Sequence, residues 1–456
     1  MSTHQDPTRP AYGYAANHLQ DMVRRNRRSE TIGTYAVCSA HPWVLDAALQ
    51  QAMEDNSIVH VESTSSQVNQ EGGYTGQAPR DFAEALRGRA QTLGFPREQI
   101  LLGGDHLGPY PWRDKPAKDA LAKASRLVRD CVLAGYSKIH LDTSMPCADD
   151  GEALTEETVA QRASVLCEAA ELAHGELGPA FPQPLYVVGT EVPVPGGETL
   201  AGEPPAVTTV DHIHQTLKTF EVAFAARGLA SAWERVIGLV VQPGVEFGSD
   251  VVFEYQRSKT LAIKGCLPDN PLLVYEAHST DYQSTRALSQ MVEDHFAILK
   301  VGPGLTFAFR EAIFALSAIE NEIFGARKGV QLSQVREELE KAMLKNLTYW
   351  RSYYSSGDDQ ELSMLRAYSY SDRCRYYWPE PAVEQELQRL LLNLSRQLIP
   401  MTLLSQYLPA EYEAIRALGV RLDAPAMVHH HIRSVLRSYA GACGLRAIEA
   451  SAGTGL

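Results

Sequence analysis

An acid and a histidine stand side by side where an apolar run ends, in Leu101-Leu-Gly-Gly-Asp-His-Leu-Gly-Pro-Tyr-Pro-Trp112. Asp105 can carry a proton and His106 can bind a metal, and the flanking glycines let a ligand or another backbone come close. In a regular strand the two side chains would point to opposite faces. Polar residues end other apolar runs in the same way: Glu62, Asp142, Glu191, Gln242, Glu276 and His278. Imidazole and carboxylate ligands together suit a catalytic divalent metal with an open coordination position. His106 and His278 are the first candidate ligands, with Glu191 and Gln242 behind them. Asp105, Asp142 and Glu191 are the candidates for proton transfer. A single histidine at a strand end more often bonds a loop, but two histidines and two aspartates on one rim favour a metal. Such a metal polarises a carbonyl and stabilises an enediolate, while a carboxylate moves a proton at a neighbouring hydroxyl. Aldol cleavage, aldose–ketose isomerisation and epimerisation all use this combination, and spacing does not separate them.

Other segments supply binding groups. The loop over 67–76 carries Gln67, Asn69, Gln70 and Tyr74, which can bond sugar hydroxyls, and its length and amide density suit a lid. Val301-Gly-Pro-Gly304 runs into a helical pattern, so Gly302 and Gly304 offer backbone amides to an anion. A tight turn needs such glycines equally, and no Walker-type lysine accompanies them. His429-His-His431 has the composition of a metal tract, yet its helical setting makes a solvated face the simpler reading. Ser371-Asp-Arg-Cys-Arg-Tyr-Tyr-Trp378, rich in arginine and aromatic residues, suits packing of one unit on another better than reaching a neighbouring subunit's substrate.

These residues lie far apart in the chain, so a scaffold has to gather them. Short β-rich runs occur over 32–39, 57–63, 99–104, 137–142, 184–190, 235–242, 271–277 and 295–301. Helical patterns follow them over 42–55, 80–93, 116–134, 155–174, 210–227, 250–264, 281–293 and 305–324. Eight β-then-α units in series predict an α/β fold closed as a TIM (β/α)8 barrel. Val236-Ile-Gly-Leu-Val-Val241 is apolar throughout, as strands covered on both faces are. No GxGxxG loop follows the first strand, which counts against a dinucleotide. A barrel brings its strand ends together at one mouth, where such folds place their chemistry. Past 329 the strand signals fade, and helical ones appear over 333–347, 381–395, 409–418 and 427–439. The predicted organisation is an N-terminal arm and leading helix over 1–30, the barrel over 31–328, a C-terminal helical extension over 329–450 and a flexible tail over 451–456.

A net charge of −13 over 456 residues argues against nucleic acid and for small-molecule partners. Seven cysteines, an odd number with no CxxC pair, read as reduced thiols of a cytoplasmic protein. Residues 1–10 lack the apolar core of a signal peptide, and no apolar run approaches a membrane span.

Seven segments, spread over nearly the whole chain, jointly resemble the GatZ/KbaZ family, named as partner subunits of class II tagatose-1,6-bisphosphate aldolase. They are Gln67-Val-Asn-Gln-Glu-Gly-Gly-Tyr-Thr-Gly76, Gly103-Gly-Asp-His-Leu-Gly-Pro-Tyr-Pro-Trp112, Gly189-Thr-Glu-Val-Pro193, Val241-Gln-Pro-Gly-Val-Glu246, Glu276-Ala-His-Ser-Thr-Asp-Tyr-Gln283, Lys300-Val-Gly-Pro-Gly-Leu-Thr306 and the 371–378 run. The resemblance implies a TIM barrel related to class II aldolases, in which an Asp-His pair follows the third strand. There the aspartate shuttles the proton and the histidine binds zinc; Asp105 and His106 match that pair. His278 matches a second metal histidine after the seventh strand. The third metal histidine of those enzymes follows the sixth strand, where this chain has Val241-Gln-Pro-Gly, so Gln242 or Glu191 is expected in its place. The loop after the eighth strand lacks the aldolases' Asn-containing phosphate motif. Ser279 and Asp281 join Gly302 and Gly304 as expected substrate contacts.

The resemblance thus implies a metal-dependent carbohydrate enzyme, with zinc first and manganese, cobalt or nickel as alternatives. Its substrate would be a ketose or ketose phosphate of the tagatose/fructose type. It would act by retro-aldol and aldol chemistry, as an aldolase-like lyase or a ketose 4-epimerase. The alternative is a non-catalytic subunit that stabilises a class II aldolase. A homo-oligomer is expected in either case.

Overall fold

Eight parallel strands pair in sequence order and close on themselves. They are β1 Thr34–Val37, β2 Val59–Thr64, β3 Ile100–Leu107, β4 Lys138–Leu141, β5 Leu185–Val188, β6 Val236–Val240, β7 Val274–Ala277 and β8 Ile298–Val301. Closure is made by β1 on β8, in register from Thr34 opposite Ile298 to Val37 opposite Val301. This is the TIM barrel that the eight β-then-α units predict. It comes from a computed structural model that describes residues 13–192, 204–354, 357–419 and 422–446. The first part of the expected arm, over 1–12, and the expected tail over 451–456 lie outside those residues.

Helices cover the barrel from outside. In Pro303–Phe324 the proline takes the first turn, where its missing N–H costs no bond. Leu305, Phe309, Ala312, Ile313, Leu316 and Ile319 then recur every three or four positions and are buried, which lays one face of the helix on the strands. At the barrel's other end, Leu101, Leu185, Ile237, Val274 and Ile298 cluster with Leu19, Met22 and Val23 of the leading helix Tyr14–Arg27. That helix covers the end where the strands begin.

Two elements differ from expectation, each for a local reason. The sequence predicts a helix over 250–264, but a hairpin of Glu246–Phe247 against Val252–Phe253 takes its first part and the helix is Arg257–Lys264. The run Val251-Val-Phe253 is β-branched and aromatic, which favours pairing over coiling. The helix expected from 281 starts instead at Thr285, capped by Ser284. Gln283 turns back to bond the Tyr255 amide and the Phe253 carbonyl, and Asp281 is used at the mouth.

The C-terminal region is helical. Its last helix, Ala424–Ala442, lies against Pro42–Glu54, Thr285–Glu293 and Pro303–Phe324. Two helices there were not predicted, Met401–Tyr407 and Asp359–Tyr368, the latter starting at a capping box of Asp358 and Glu361. The run His429-His-His431 is half-buried rather than a solvated face. His430 and His431 reach Glu411 Oε1 at 2.9 and 3.2 Å, which ties the helix Pro409–Leu418 to the last one. A short turn, Arg373–Tyr376, is held over the barrel mouth: Tyr282 Oη donates to the Tyr370 carbonyl and Thr306 Oγ1 to Asp372. All seven cysteines are free thiols. Among the described residues no helix is long and apolar enough to cross a membrane.

Candidate functional site

The site begins at an irregularity in β3. This strand keeps register with β2 as far as Thr64 opposite Asp105, but against β4 the register shifts between Gly104 and Leu107. His106 has φ 48°, in the left-handed region that L residues seldom adopt. A bulge re-aims the side chain it carries. Asp105 and His106 therefore do not diverge as they would in a regular strand. Asp105 Oδ1 lies 3.0 Å from His140 Nδ1, and the His106 ring centroid lies 5.2 Å from that of His140. Gly108 follows because a Cβ there would sit 1.6 Å from the Asp142 carbonyl oxygen. At this point β3 and β4 close on each other only with glycine.

Three other strands turn polar side chains inward at the period of two that strand geometry dictates. They are His60 and Glu62 on β2, Lys138 and His140 on β4, and Glu276 with His278 on and just past β7. The side chains of Glu62, Lys138 and Glu276 are wholly inaccessible. Lys138 Nζ lies 2.6 Å from Glu62 Oε1 and 2.6 Å from Glu276 Oε2. Lys300, on β8, pairs with Glu62 and lies 2.8 Å from Asp105 Oδ1 and 3.5 Å from Glu276 Oε1. Each of these charges alone would be expensive to bury; together they compensate one another. Burial alone would raise the Asp105 carboxyl, but His106, Lys300 and His140 outweigh it and hold the group well below the usual carboxylate range. Burial is likewise outweighed at Glu276, by Lys138 and Lys300. Four buried carboxylates, Glu62, Asp105, Asp142 and Glu276, thus face two ammonium groups, Lys138 and Lys300. Among these six groups two negative charges remain, which a divalent cation would cancel and a proton on His106 would halve.

Beside this network three imidazoles meet. The ring centroids of His106, His140 and His278 are 4.9 to 5.2 Å apart. Asp142 Oδ2 lies 2.8 Å from His106 Nδ1 and so fixes that ring with Nε2 free for other work. Burial would lower the His106 pKa, but Asp105 and Asp142 raise it, so the site favours positive charge at this ring. Burial takes His278 down to about 4, leaving it neutral with a lone pair available at neutral pH. His140 Nδ1 lies near both Asp105 and the His106 amide, whereas its Nε2 is buried with no hydrogen-bond partner among the described residues. Such an atom is rare in a folded interior and calls for a partner. Asp105, His140, Glu276 and His278 each offer a ligand atom, all within 4.8 Å of one another. Glu276 is also engaged by Lys138 and His278, and His106 stands beside this set of four, its ring centroid 5.2 Å from that of His140 and 4.9 Å from that of His278. The donor set, the orphaned nitrogen and the residual charge are all compatible with a divalent metal.

His140 escapes a reading that looks only at strand ends, because it lies inside an apolar run. Its signal is the alternation Lys138-Ile-His140. Gln242 and Glu191, expected in its place, stand elsewhere. Gln242 Oε1 accepts the Gly244 and Val245 amides at 2.8 and 3.1 Å and shapes its own loop. Glu191 accepts from Thr208 and lies 3.6 Å from His212, with its side chain 39% exposed. Neither reaches the histidines.

A cavity of about 300 Å³ opens over the cluster. Asp105, His106, His278 and Lys300 line its inner part, and Gln67, Tyr74, Ser279, Asp281 and Gly302 line its walls. Arg375 and Tyr376, from the C-terminal region, complete it in the same chain. The Tyr376 ring meets Tyr74 edge-on at 4.7 Å. Asn69 and Gln70 do not line it. Asn69 Oδ1 accepts the Glu71 and Gly73 amides, and Gln70 Nε2 donates to the Lys123 carbonyl, so both hold the loop in shape. The expected anion seat is also taken: Asp281 Oδ1 accepts the amides of Gly302 and Gly304 at 2.9 and 2.7 Å. Burial raises the Asp281 carboxyl to about 6 against the effect of those two bonds.

The family model described as D-tagatose-1,6-bisphosphate aldolase subunit GatZ/KbaZ-like matches residues 19–444. A solved structure described as a probable tagatose 6 phosphate kinase from Sinorhizobium meliloti 1021 is 41% identical, over 90% of this chain and 100% of that one, with a TM-score of 0.82. The YdjI aldolase from Escherichia coli K12 is 10% identical over 82% of this chain and 96% of that one, with a TM-score of 0.40. Fructose-bisphosphate aldolase from Campylobacter jejuni is 14% identical over 84% and 93%, with a TM-score of 0.42.

Proposed function

The chain belongs to the GatZ/KbaZ-like family, and on that premise we propose that it is itself a metal-dependent enzyme acting on a ketose or ketose phosphate of the tagatose/fructose type. It works by retro-aldol and aldol steps, as an aldolase-like lyase or a 4-epimerase. One observation carries this reading: three imidazoles and an ionised aspartate meet beneath a cavity. Apolar residues would fill a barrel interior at lower cost, so a purely stabilising subunit has no use for this arrangement.

A divalent ion held by His106, His140 and His278, zinc or else manganese, cobalt or nickel, would supply Lewis-acid polarisation of the ketose carbonyl. Asp142 keeps His106 oriented through Nδ1. Asp105, ionised at neutral pH, takes the proton from a substrate hydroxyl as the adjacent carbon–carbon bond breaks, and returns it when the bond re-forms. Lys300 at 2.8 Å keeps Asp105 ionised between turnovers. Release of the fragment makes the protein a lyase; its re-addition on the other face makes it a 4-epimerase. Tyr74 and Ser279 on the walls are the proposed hydroxyl contacts, while Gln67 accepts the Thr64 amide and donates to the Cys38 carbonyl and so shapes the wall. The cavity volume lies at the low end for small-molecule sites, which suits one sugar.

The test uses the chain purified alone, stripped with a chelator and reloaded with each metal in turn, with ketose conversion followed by chromatography. Turnover is expected only in reloaded samples. No turnover under any metal, with Asp105 and His106 intact, would sink the proposal. The family's description as an aldolase subunit favours a second reading, in which the chain stabilises a separate class II aldolase. That reading predicts co-purification with the smaller enzyme and loss of its stability without this chain. Bound metal near about one ion per isolated chain favours the enzyme.

Asp142→Asn removes the charge from the partner of His106 Nδ1 while keeping its shape. Metal affinity is expected to fall about 10–100-fold, read by competition with a chromophoric chelator. An unchanged affinity would remove Asp142 from the metal's support.

A further inference from the structure

We propose that Asp281 decides which substrate terminus this site accepts: the end of the ketose that rests on the rim between β7 and the helix Pro303–Phe324 is an uncharged hydroxyl, and a phosphate ester there is refused. The inference rests on the reading of the cavity as a ketose site and adds the charge state of one end of the sugar.

The start of a long helix is where backbone amides would normally receive a phosphate. Here the Gly302 and Gly304 amides both donate to one oxygen of Asp281. Asp281 is 3% exposed and shares the cavity with His106, His278 and Lys300. A Cβ at position 304 would lie 3.1 Å from Asp281 Oδ1, so glycine keeps the carboxylate seated. The next donor along that helix is committed as well, since the Thr306 hydroxyl donates to Asp372, itself buried. The rim's donors thus serve two carboxylates of the chain. A phosphate arriving there would have to displace Asp281 from both amides, while Arg375, which lines the same cavity, already acts on Asp281 and donates to the Ser371 and Asp372 carbonyls. A hydroxyl meets the opposite situation: both glycine amides use Asp281 Oδ1, and the second oxygen can accept from it. A bisphosphate, charged at both ends, is refused whichever end it presents.

Calorimetric titration of the metal-loaded protein with inorganic phosphate reads the rim without any sugar chemistry. Asp281→Ser, which frees the two amides, is expected to bind phosphate roughly tenfold more tightly than the wild type. Equal affinity in the two proteins would overturn the proposal. A second arm uses the wild type alone and so stands even where the variant fails to fold. D-Fructose 1,6-bisphosphate is expected to bind roughly tenfold more weakly than the better of D-fructose 1-phosphate and D-fructose 6-phosphate. A bisphosphate that binds as tightly as the better monophosphate would also overturn it. Should no ketose bind, the ketose-enzyme reading fails, while the phosphate titration still decides the role of Asp281.

Discussion

Asp105→Asn is expected to lower ketose turnover about 10²–10⁴-fold, the usual worth of a positioned general base. The amide keeps the size of the carboxylate but accepts no proton. Its neighbours make the comparison clean. Lys300, which loses one partner, keeps Glu62 and Glu276. His106 keeps Asp142. The fold and the bound metal should therefore survive, and metal content and thermal unfolding are measured beside kcat. A folded, metal-loaded variant with undiminished turnover would move the proton transfer to another residue. In contrast His140→Ala is expected to lose the metal itself, so the two variants separate a proton carrier from a ligand.

Replacing Lys138 by methionine is expected to destabilise the protein by about 3–5 kcal/mol, the range for breaking a buried ion pair on one side. The ammonium lies between Glu62 and Glu276, and all three side chains are out of reach of solvent. Glu62 retains close contacts with His60 and Lys300, whereas Glu276 retains His278 at 3.1 Å and Lys300 at 3.5 Å and is left the poorer. Adding Glu276→Gln to the first change should recover part of the loss, because the uncompensated charge is then gone. Denaturant unfolding of the metal-free proteins reads both effects, and a loss under about 1 kcal/mol would contradict the account. The pH dependence has a definite sign. A carboxylate with a depressed folded pKa contributes stability above its unfolded value of about 4.3, and loses it as the pH falls toward the folded pKa. Glu276 is such a group. Without Lys138 only Lys300 and His278 oppose the burial penalty at Glu276, so its pKa rises and acid unfolding should start at a higher pH than in the parent protein.

The barrel, and the polar residues at the ends of its strands, were legible in the chain itself. Alternation of β-rich runs with helical periods is a local property, and each unit must pair with the next, so eight units in series specify closure. Asp105, His106 and His278 stood out because each interrupts an apolar run at its end. The pairs His60/Glu62 and Lys138/His140 were equally present as residues two apart, but an apolar strand covered on both faces gives no hint that its inward face is charged. Counter-charges from β2, β4, β7 and β8 make that face tolerable, and these strands are distant in sequence.

What only the tertiary structure decided follows from the same distance. The third imidazole comes from β4 because a bulge in β3 turns His106 toward it, and a one-residue shift in register is invisible until two strands are paired. Gln242 and Glu191 were expected as ligands by their position after a strand, yet a side chain ligates only where its atoms converge, and theirs are taken by local amides, a hydroxyl and a histidine. The glycines after β8 allowed an anion seat and a tight turn equally; that Asp281 takes their amides depends on two loops meeting in space, a contact between residues some twenty positions apart that no local pattern encodes.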